Sequence, residues 1–329
     1  MALEMTTPKG HEGFSRLMEW IIWQIGLLGP MSVEDICRLS GLRKPAVYEA
    51  VKALVGQRYL VRIGFLVTSY ESKKHRGPAY YHLTGPGWSQ AMQMIDPLSH
   101  VTETHAPLKG TTLPHQHATN QFMIHLYELL EQERRLSLEG TGIIDWCGSR
   151  LASKYYELWI NGDLRNPRRI RPDAMATLAF RDKQYEVSVE LDRGTETTKI
   201  LKQKILRYRR ELDDKTGFHR RGQPYPVNIL WVIDSPINAV ERVDIIYNLI
   251  DIWVEDPFEN KPNDNIIVSH QHWVTTLDTW LKATSLDDEV WWNPWAQEKP
   301  EYPKPSTLWV PNRTKHISFD PYSIRRLLL

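Results

Sequence analysis

Cysteine is nearly absent from this sequence of 329 residues, in which Cys37 and Cys147 are the only two and lie far apart. So few cysteines exclude a disulfide framework and a cysteine-rich zinc site. The sequence also lacks any apolar run near the roughly 20 residues that cross a bilayer, and residues 1–13 are polar. We therefore expect a soluble cytoplasmic protein that is not exported and does not contact a membrane.

An excess of charge of one sign is missing as well, since 41 Lys and Arg balance 40 Asp and Glu. Any nucleic-acid surface must therefore come from local clustering of basic residues. The composition, with 41% hydrophobic and 25% charged residues, is that of a folded globular protein. This length exceeds what one core usually supports, so we expect two domains.

Three helices are predicted near the start of the chain. Apolar residues recur at helical spacing from Phe14 to Leu28, and Gly29-Pro30 ends the pattern. A capping-box-like start at Ser32 predicts a second helix that ends at Ser40-Gly41. Residues 44–56 predict a third helix with a proline in its first turn.

A β-hairpin is predicted after the third helix. Residues 59–67 and 79–84 are rich in β-branched and aromatic side chains, and they flank a polar loop at residues 69–78. A helix from about residue 88 to residue 95 follows. This order predicts a winged helix-turn-helix, whose third helix would enter the major groove of double-stranded DNA.

The winged helix offers two sets of residues for DNA. Side chains around the third helix are expected to meet base edges, and basic residues of the hairpin loop are expected to neutralise phosphates. The first set is Arg43, Lys44, Tyr48 and Lys52, and the second is Lys73, Lys74 and Arg76. A winged helix can also serve protein contacts, but the basic loop favours DNA.

The rest of the chain predicts a mixed α/β domain. We place the winged helix at residues 1–96, a linker at 97–116, the α/β domain at 117–284 and a Trp- and Pro-rich extended tail at 285–329. Within the α/β domain, strands are predicted at 143–144, 173–180, 184–191, 227–233 and 266–268, and helices at 117–135, 195–212, 239–254 and 271–282.

Acidic residues cluster on two of these strands. Strand alternation places Glu186, Ser188, Glu190 and Asp192 on one face, and a neighbouring strand could bring Asp173 near the last two. Three converging carboxylates, Asp173, Glu190 and Asp192, would suit Mg²⁺ or Mn²⁺. The alternative is that each acid faces solvent or pairs with a nearby base such as Arg193 or Arg169.

The motif Pro-Asp at 172–173, followed by Glu190-x-Asp192, resembles the PD-(D/E)xK nuclease superfamily. The resemblance implies a restriction-endonuclease-like α/β core, in which the acids hold a metal ion and water attacks the phosphate. One branch adds Gln-x-x-x-Tyr on the next helix, where this sequence has Lys204 and Tyr208. Asp192 stands where the motif has its lysine. Lys204, which shares a helix face with Tyr208, could supply the missing ammonium, and Lys202 and Lys199 are the alternatives.

Together with the winged helix, the segments Glu190–Thr195 and Lys204–Tyr208 resemble the replication-relaxation family of bacterial plasmids and integrative elements. The resemblance implies a part in plasmid replication and DNA relaxation. Two functions stay open. One is metal-dependent nicking, and the other is a non-enzymatic regulator or initiator whose nuclease-like domain forms a homodimer or docks a replication or transfer protein.

Other polar residues carry weaker hypotheses. Glu128 could be a further acid of the nuclease-like site, although a surface charge is the favoured interpretation. His115, His117 and His125 suggest zinc, but the spacing of a complete site is missing, and we expect loop and cap residues. Tyrosine attack on phosphate by Tyr155-Tyr156 is not favoured, because the sequence lacks the histidine motif that usually accompanies it.

Overall fold

The computed structural model describes residues 14–67, 76–95, 113–136, 140–149, 151–152, 172–180, 183–213, 227–235, 238–252, 270–291 and 322–323. The chain divides into two compact units, Met1–Glu128 and Leu129–Leu329. Among the helices in these ranges, none is both long enough and apolar enough to cross a membrane.

The first unit begins with helices and a small sheet. Its elements are α1 (Arg16–Leu28), β1 (Met31–Ser32), α2 (Val33–Ser40), α3 (Lys44–Gly56), β2 (Leu60–Val67), β3 (Arg76–Leu83) and α4 (Gly85–Ile95). The strands form an antiparallel sheet in the order β1-β3-β2. This succession of elements is the one predicted for a winged helix-turn-helix.

Local sequence signals set the ends of these helices. Ser32 and Asp35 form a capping box, in which the Ser32 hydroxyl accepts from the Asp35 amide at 3.1 Å and the Asp35 carboxylate accepts from the Ser32 amide at 2.9 Å. The α2 helix ends at Gly41, whose φ of 67° is left-handed. The bounds of α3 agree with the prediction, and Val47, Val51 and Leu54 are buried.

A further helix, α5 (Leu113–Arg135), contributes its first part to the first unit. The Gln116 side-chain amide donates to the Leu28 carbonyl at 2.7 Å, and the Asn120 amide donates to the Pro30 carbonyl at 2.7 Å. The prediction that the second domain starts at residue 117 is therefore wrong for residues 117–128. Polar bonds attach this part of the helix to the winged helix, and apolar periodicity does not reveal such bonds.

The second unit is built around a five-stranded sheet. Its elements after α5 are β4 (Gly142–Gly148), β5 (Ala174–Phe180), β6 (Lys183–Asp192), α6 (Thr198–Asp213), β7 (Val227–Ile233), α7 (Ala239–Ile252), β8 (His270–Thr276), α8 (Leu277–Leu281), β9 (Glu289–Trp291) and β10 (Tyr322–Ser323). The large sheet has the order β4-β5-β6-β7-β8.

Strand direction changes across this sheet. The pairs β4-β5 and β5-β6 are antiparallel, whereas β6-β7 and β7-β8 are parallel. A parallel strand inside a sheet is covered on both faces, and this explains why β7 has an almost continuous apolar sequence. In β7, residues 229–233 are 1% exposed or less.

The predicted helix at residues 271–282 is wrong over its first half. Residues 270–276 form β8, and a short helix follows from Leu277 after the Thr276 hydroxyl caps it at 3.1 Å. The run of aromatic and β-branched residues from Trp273 to Thr276 favours a strand, and pairing with β7 fixes it. The predicted strand at 266–268 lies outside the described residues.

Part of the predicted tail is ordered by tryptophan packing. The Trp291 side chain in β9 is fully buried and lies against Trp280, with ring centroids 5.5 Å apart. Glu289 and Trp291 pair with the two residues of β10 in an antiparallel ribbon. The other residues between 292 and 329 lie outside the described ranges.

Close approach of two backbones at Gly87 generates a stability prediction. A methyl group on Gly87 would overlap the backbone carbonyl oxygen of Tyr59, whereas one on Gly85 would meet nothing within 4 Å. We expect Gly87→Ala to lower the free energy of unfolding by about 1–3 kcal/mol through overpacking. Urea denaturation measures the change, and Gly85→Ala is the matched control in the same helix. Equal stabilities of the two variants would contradict this packing.

Candidate functional site

The polar face of β6 is buried. Glu186, Ser188, Glu190 and Asp192 are 8%, 1%, 2% and 2% exposed, so these side chains do not face solvent. A carboxylate removed from water must be paired or hydrogen-bonded, because the ion is otherwise strongly destabilised. The partners of each acid therefore define the chemistry of this face.

Glu190 is held by two side chains of α6. The Lys204 ammonium donates to one carboxylate oxygen at 3.0 Å, and the Tyr208 hydroxyl donates to the other at 2.7 Å. Lys204 and Tyr208 are four residues apart and share one face of the helix. The expectation that Lys204 points toward the end of the acidic strand agrees with this arrangement.

Asp173 lies just before β5, next to the residues that flank Glu190. Its backbone amide donates to the Val189 carbonyl at 2.8 Å, and its carboxylate accepts from the Leu191 amide at 2.8 Å. Val189 and Leu191 are the neighbours of Glu190 on β6. The Pro-Asp segment is thereby fixed at the strand end that carries Glu190, as the sequence predicts.

Burial and charge compete at Glu190. Burial removes water from Glu190 and favours its neutral form, which raises its pKa. The Lys204 charge lowers this pKa, whereas the Asp173 charge raises it further. Together these effects raise the pKa of Glu190 to about 7. Burial lowers the pKa of Lys204, but the nearby Glu190 and Asp173 carboxylates outweigh it and raise that pKa above its ordinary value. Lys204 therefore stays charged among these acids.

Asp192 is turned to a different partner. The Arg242 guanidinium of α7 donates from two nitrogens to the Asp192 carboxylate, and the Gly194 amide donates to it at 3.0 Å. No group of three or more His, Cys, Asp or Glu side chains within the described ranges could hold a metal ion. The expected convergence of three carboxylates is wrong in this arrangement, because a bidentate guanidinium pair engages Asp192.

The segment after β6 connects the Asp192–Arg242 pair with the Glu190–Lys204 pair. Arg242 also donates to the backbone carbonyl of Glu196, and the Glu196 carboxylate accepts from Lys204 at 2.9 Å. Arg193 pairs with Asp234 at 3.2 Å, so it does not serve the carboxylates of β6 as the alternative hypothesis proposed. Arg169, the other proposed partner, lies outside the described residues.

Aromatic side chains lie next to Glu190. The Tyr208 ring meets Trp231 and His272 edge-on at centroid distances of 6.4 Å each, and the Trp231 indole donates to the His272 Nδ1 atom at 2.9 Å. Sequence reasoning missed His272, because it assigned this stretch to a helix. It also missed Arg242 and Glu196, for which no local motif gives a signal.

The proposed DNA-binding residues around α3 are exposed. Arg43 precedes the helix, Lys44 opens it, and half of the Tyr48 side chain is accessible to solvent. Lys52 is exposed and lies 3.9 Å from Glu49 one turn earlier. The first turn contains no acid that would repel phosphate. In the hairpin, Arg76 begins β3, whereas Lys73 and Lys74 lie outside the described residues.

The remaining hypotheses are resolved within α5. Glu128 binds Arg38 through two hydrogen bonds of 2.6 and 2.9 Å, so it serves the first unit and not the acidic site. Burial opposes ionisation of Glu128, but the Arg38 and His125 hydrogen bonds outweigh it and lower the pKa to about 2. His117 contacts the Tyr80 hydroxyl.

His115, His117 and His125 all lie in α5, so the loop placement of His115 is wrong, whereas His117 and His125 fall within the helix predicted from residue 117. The helix begins four residues earlier than predicted, although a proline and two threonines lie just before His115. Tyr155-Tyr156 lies outside the described residues.

The site thus joins two carboxylates, an ammonium group and a phenol. Asp173 and Glu190 carry oxygen ligands of the kind that Mg²⁺ and Mn²⁺ prefer, and Lys204 carries positive charge beside them. Such a set can hold a hard cation or neutralise a phosphate.

Sequence comparison gives one family for this chain. Residues 25–222 match the sequence model of the family described as replication-relaxation. The match includes the winged-helix residues from Ile25 onward and every residue from Asp173 to Tyr208. Among curated proteins, none matches significantly.

Solved structures with matching segments are distant. The adhesin competence repressor AdcR from Streptococcus pyogenes is 16% identical with a TM-score of 0.22, covering 38% of this chain and 75% of its own. PadR of Bacillus subtilis in complex with operator DNA is 15% identical with a TM-score of 0.21, and the match covers 46% of this chain and 83% of PadR. Restriction endonuclease FokI bound to DNA is 14% identical with a TM-score of 0.24. Its match covers 81% of this chain but less than half, 43%, of the endonuclease.

The raised pKa of Glu190 predicts a pH effect on stability. Between the ordinary value of 4.5 and about 7, the folded protein binds a proton that the unfolded chain has released. Glu190 therefore stabilises the fold most below pH 4.5, and this contribution disappears as the pH rises through about 7. Glu190→Gln removes the titration, so the stability of the variant relative to wild type should rise across this window.

Urea denaturation at several pH values measures this difference. The control is Asp278→Asn, which removes an exposed carboxylate paired with Lys282. A difference between Glu190→Gln and wild type that stays constant with pH would show that Glu190 does not titrate in this range.

Proposed function

Because the chain belongs to the replication-relaxation family, we propose that it is a DNA-processing protein of a plasmid or other mobile element. The winged helix binds double-stranded DNA, and the second unit is a PD-(D/E)xK nuclease-like domain that nicks it. The observation that carries the nicking proposal is the meeting of Asp173, Glu190 and Lys204 at one strand end.

The DNA-binding part of the proposal rests on α3. Arg43, Lys44 and Tyr48 are exposed at or near the N-terminal end of this helix, where a recognition helix meets base edges. Helix N-termini also carry partial positive charge, which favours phosphate oxygens. The basic hairpin residues Lys73, Lys74 and Arg76 would add further phosphate contacts.

Changing the basic start of α3 should weaken duplex binding. In Arg43→Gln/Lys44→Gln we expect lower affinity. We also expect a smaller salt slope, which is the slope of log K plotted against the logarithm of salt concentration. The slope should fall by about 1 for each phosphate that is no longer neutralised. Fluorescence anisotropy with a labelled duplex at several salt concentrations measures both quantities. Arg58→Gln, beyond the other end of α3, is the control. An unchanged slope in the double variant would remove α3 from the DNA interface.

The nicking part of the proposal requires a divalent cation that the donor set can accept. Mg²⁺ is commonly bound by one or two carboxylates together with substrate phosphates, so Asp173 and Glu190 suffice without Asp192. The bound ion, Mg²⁺ or Mn²⁺, would polarise a phosphate and lower the pKa of a water molecule. Lys204 would neutralise charge on the phosphate, and Tyr208 would keep the Glu190 carboxylate oriented.

The pairing of Asp192 with Arg242 divides the three acids into two classes. We expect Asp173→Asn, Glu190→Gln and Lys204→Met to reduce metal-dependent nicking of supercoiled plasmid by about 100-fold or more. Asp192→Asn should retain nicking, because its carboxylate is engaged by a guanidinium. Gel separation of supercoiled and open-circular plasmid, with Mg²⁺, Mn²⁺ or EDTA, measures the rate. Nicking by Glu190→Gln at the wild-type rate would refute the assignment.

A second candidate is a non-enzymatic regulator or initiator. It is favoured by the internal cations: Lys204 neutralises Glu190, and Arg242 neutralises Asp192. In this function the second unit would form a homodimer or bind a replication or transfer protein. Duplex binding without any metal-dependent product would support it, and calorimetric titration with Mn²⁺ of wild type and Asp173→Ala would separate a structural metal site from none.

A further inference from the structure

The helix that covers the acidic site also presents an exposed row of side chains. Leu201, Lys204 and Tyr208 lie on the inner side of α6, where Leu201 and Tyr208 are buried. Three exposed residues at four-residue spacing run along another side of the helix, and such spacing places them in one row. They are Lys199, Gln203 and Arg207, and we call them the outer row of α6.

Positive charge is concentrated on this helix. The helix contains six Lys and Arg, all between residues 199 and 210, and its acids are Glu211 and Asp213 at the C-terminal end, in a chain whose total net charge is +1. Glu196, three residues before Lys199, is bonded instead to Lys204 at 2.9 Å. Four residues after Lys199 the row has Gln203, which offers an amide where an acid would neutralise the lysine. Among the described residues, no carboxylate forms an ion pair with Lys199 or Arg207.

Several exposed cations on other helices are compensated locally. Lys52 lies near Glu49, Arg134 binds Glu131 at 2.7 Å, and Lys282 binds Asp278 at 2.6 Å, each within about one turn. These pairs reduce the local positive potential, as is common on a solvated helix surface. Lys199 and Arg207 differ from them, and their charge is available to an external anion.

We propose that the outer row of α6 binds the sugar-phosphate backbone of DNA next to the acidic site. Lys199 and Arg207 are eight residues apart, or about 12 Å along the helix at 1.5 Å per residue. At about 3.4 Å per nucleotide along one strand, this distance matches phosphates that are roughly three to four nucleotides apart. The inference rests on the proposed function, because it names DNA as the partner of the same helix that holds Glu190.

Three properties of the outer row select a phosphate backbone as its ligand. Its donors are two long flexible cations and an amide, which suit repeated phosphate oxygens without selecting a base sequence. It lies on the same helix as Lys204, so a strand held there is adjacent to the site. It also lies in the second unit, separate from the cations of the winged helix, and would therefore add its own share to the salt dependence of binding.

The test uses the full chain and a 30-base-pair duplex of arbitrary sequence, a length chosen to be roughly three helical turns. We expect Lys199→Gln/Arg207→Gln to reduce the salt slope by about 2. The control Arg134→Gln/Lys282→Gln removes the same charge from exposed positions elsewhere and should leave the slope unchanged. Glutamine is a good helix former, so both variants should fold, as circular dichroism and melting temperature will check.

Further variants separate this inference from the proposed function. Adding the α6 changes to Arg43→Gln/Lys44→Gln should lower the slope further, whereas Lys199→Arg, which keeps the charge, should retain the wild-type slope. An equal reduction of slope in the control variant, or none in the α6 variant, would overturn the inference and leave the winged helix as the DNA-binding surface. If the wild-type protein does not nick plasmid, only the nicking proposal is refuted, and the inference about the outer row of α6 stands or falls with the salt slope.

Discussion

The second unit depends on the buried carboxylate of Glu190. An ionised side chain that is 2% exposed is tolerated only when a cation and hydrogen-bond donors compensate for its missing hydration. Lys204 and Tyr208 supply both, and because they are one helical turn apart, they set the position of α6 on the sheet. Asp192 imposes the same requirement on α7, which Arg242 meets. Two acidic residues of one strand thus each bind a side chain of a neighbouring helix.

Sequence reasoning located those parts of the fold and site that depend on short-range pattern. The bounds of α3 and β7 follow from periodicity and apolar continuity, and the meeting of Lys204, Tyr208 and Glu190 follows from helical spacing. It did not find Arg242, because a guanidinium fifty residues from Asp192 becomes its partner only through the sheet topology. The error at 271–282 has a similar cause, since pairing with β7 and not local period makes residues 270–276 a strand.

The same geometry distinguishes the two paired carboxylates of β6. Lys204 bonds Glu190 at 3.0 Å and Glu196 at 2.9 Å, so its charge has two carboxylate partners. A cation that took one Glu190 oxygen would leave Lys204 paired with Glu196. Asp192 has no such freedom, because it is the only carboxylate that Arg242 pairs with among the described residues. The two acids differ, therefore, in how readily their cations can be shared.

Uneven placement of positive charge is a property that both units share. A chain with 41 basic and 40 acidic residues has no general attraction for DNA, so attraction must arise where cations lack acidic neighbours. Several ion pairs within single helices, such as Arg134 with Glu131, remove such places. The start of α3 and the outer row of α6 retain cations without such a pair. The first lies on a helix that precedes a β-hairpin, and the second lies on a helix that holds Glu190. Each of the two helices that sequence motifs associate with DNA therefore presents cations that a phosphate backbone could neutralise.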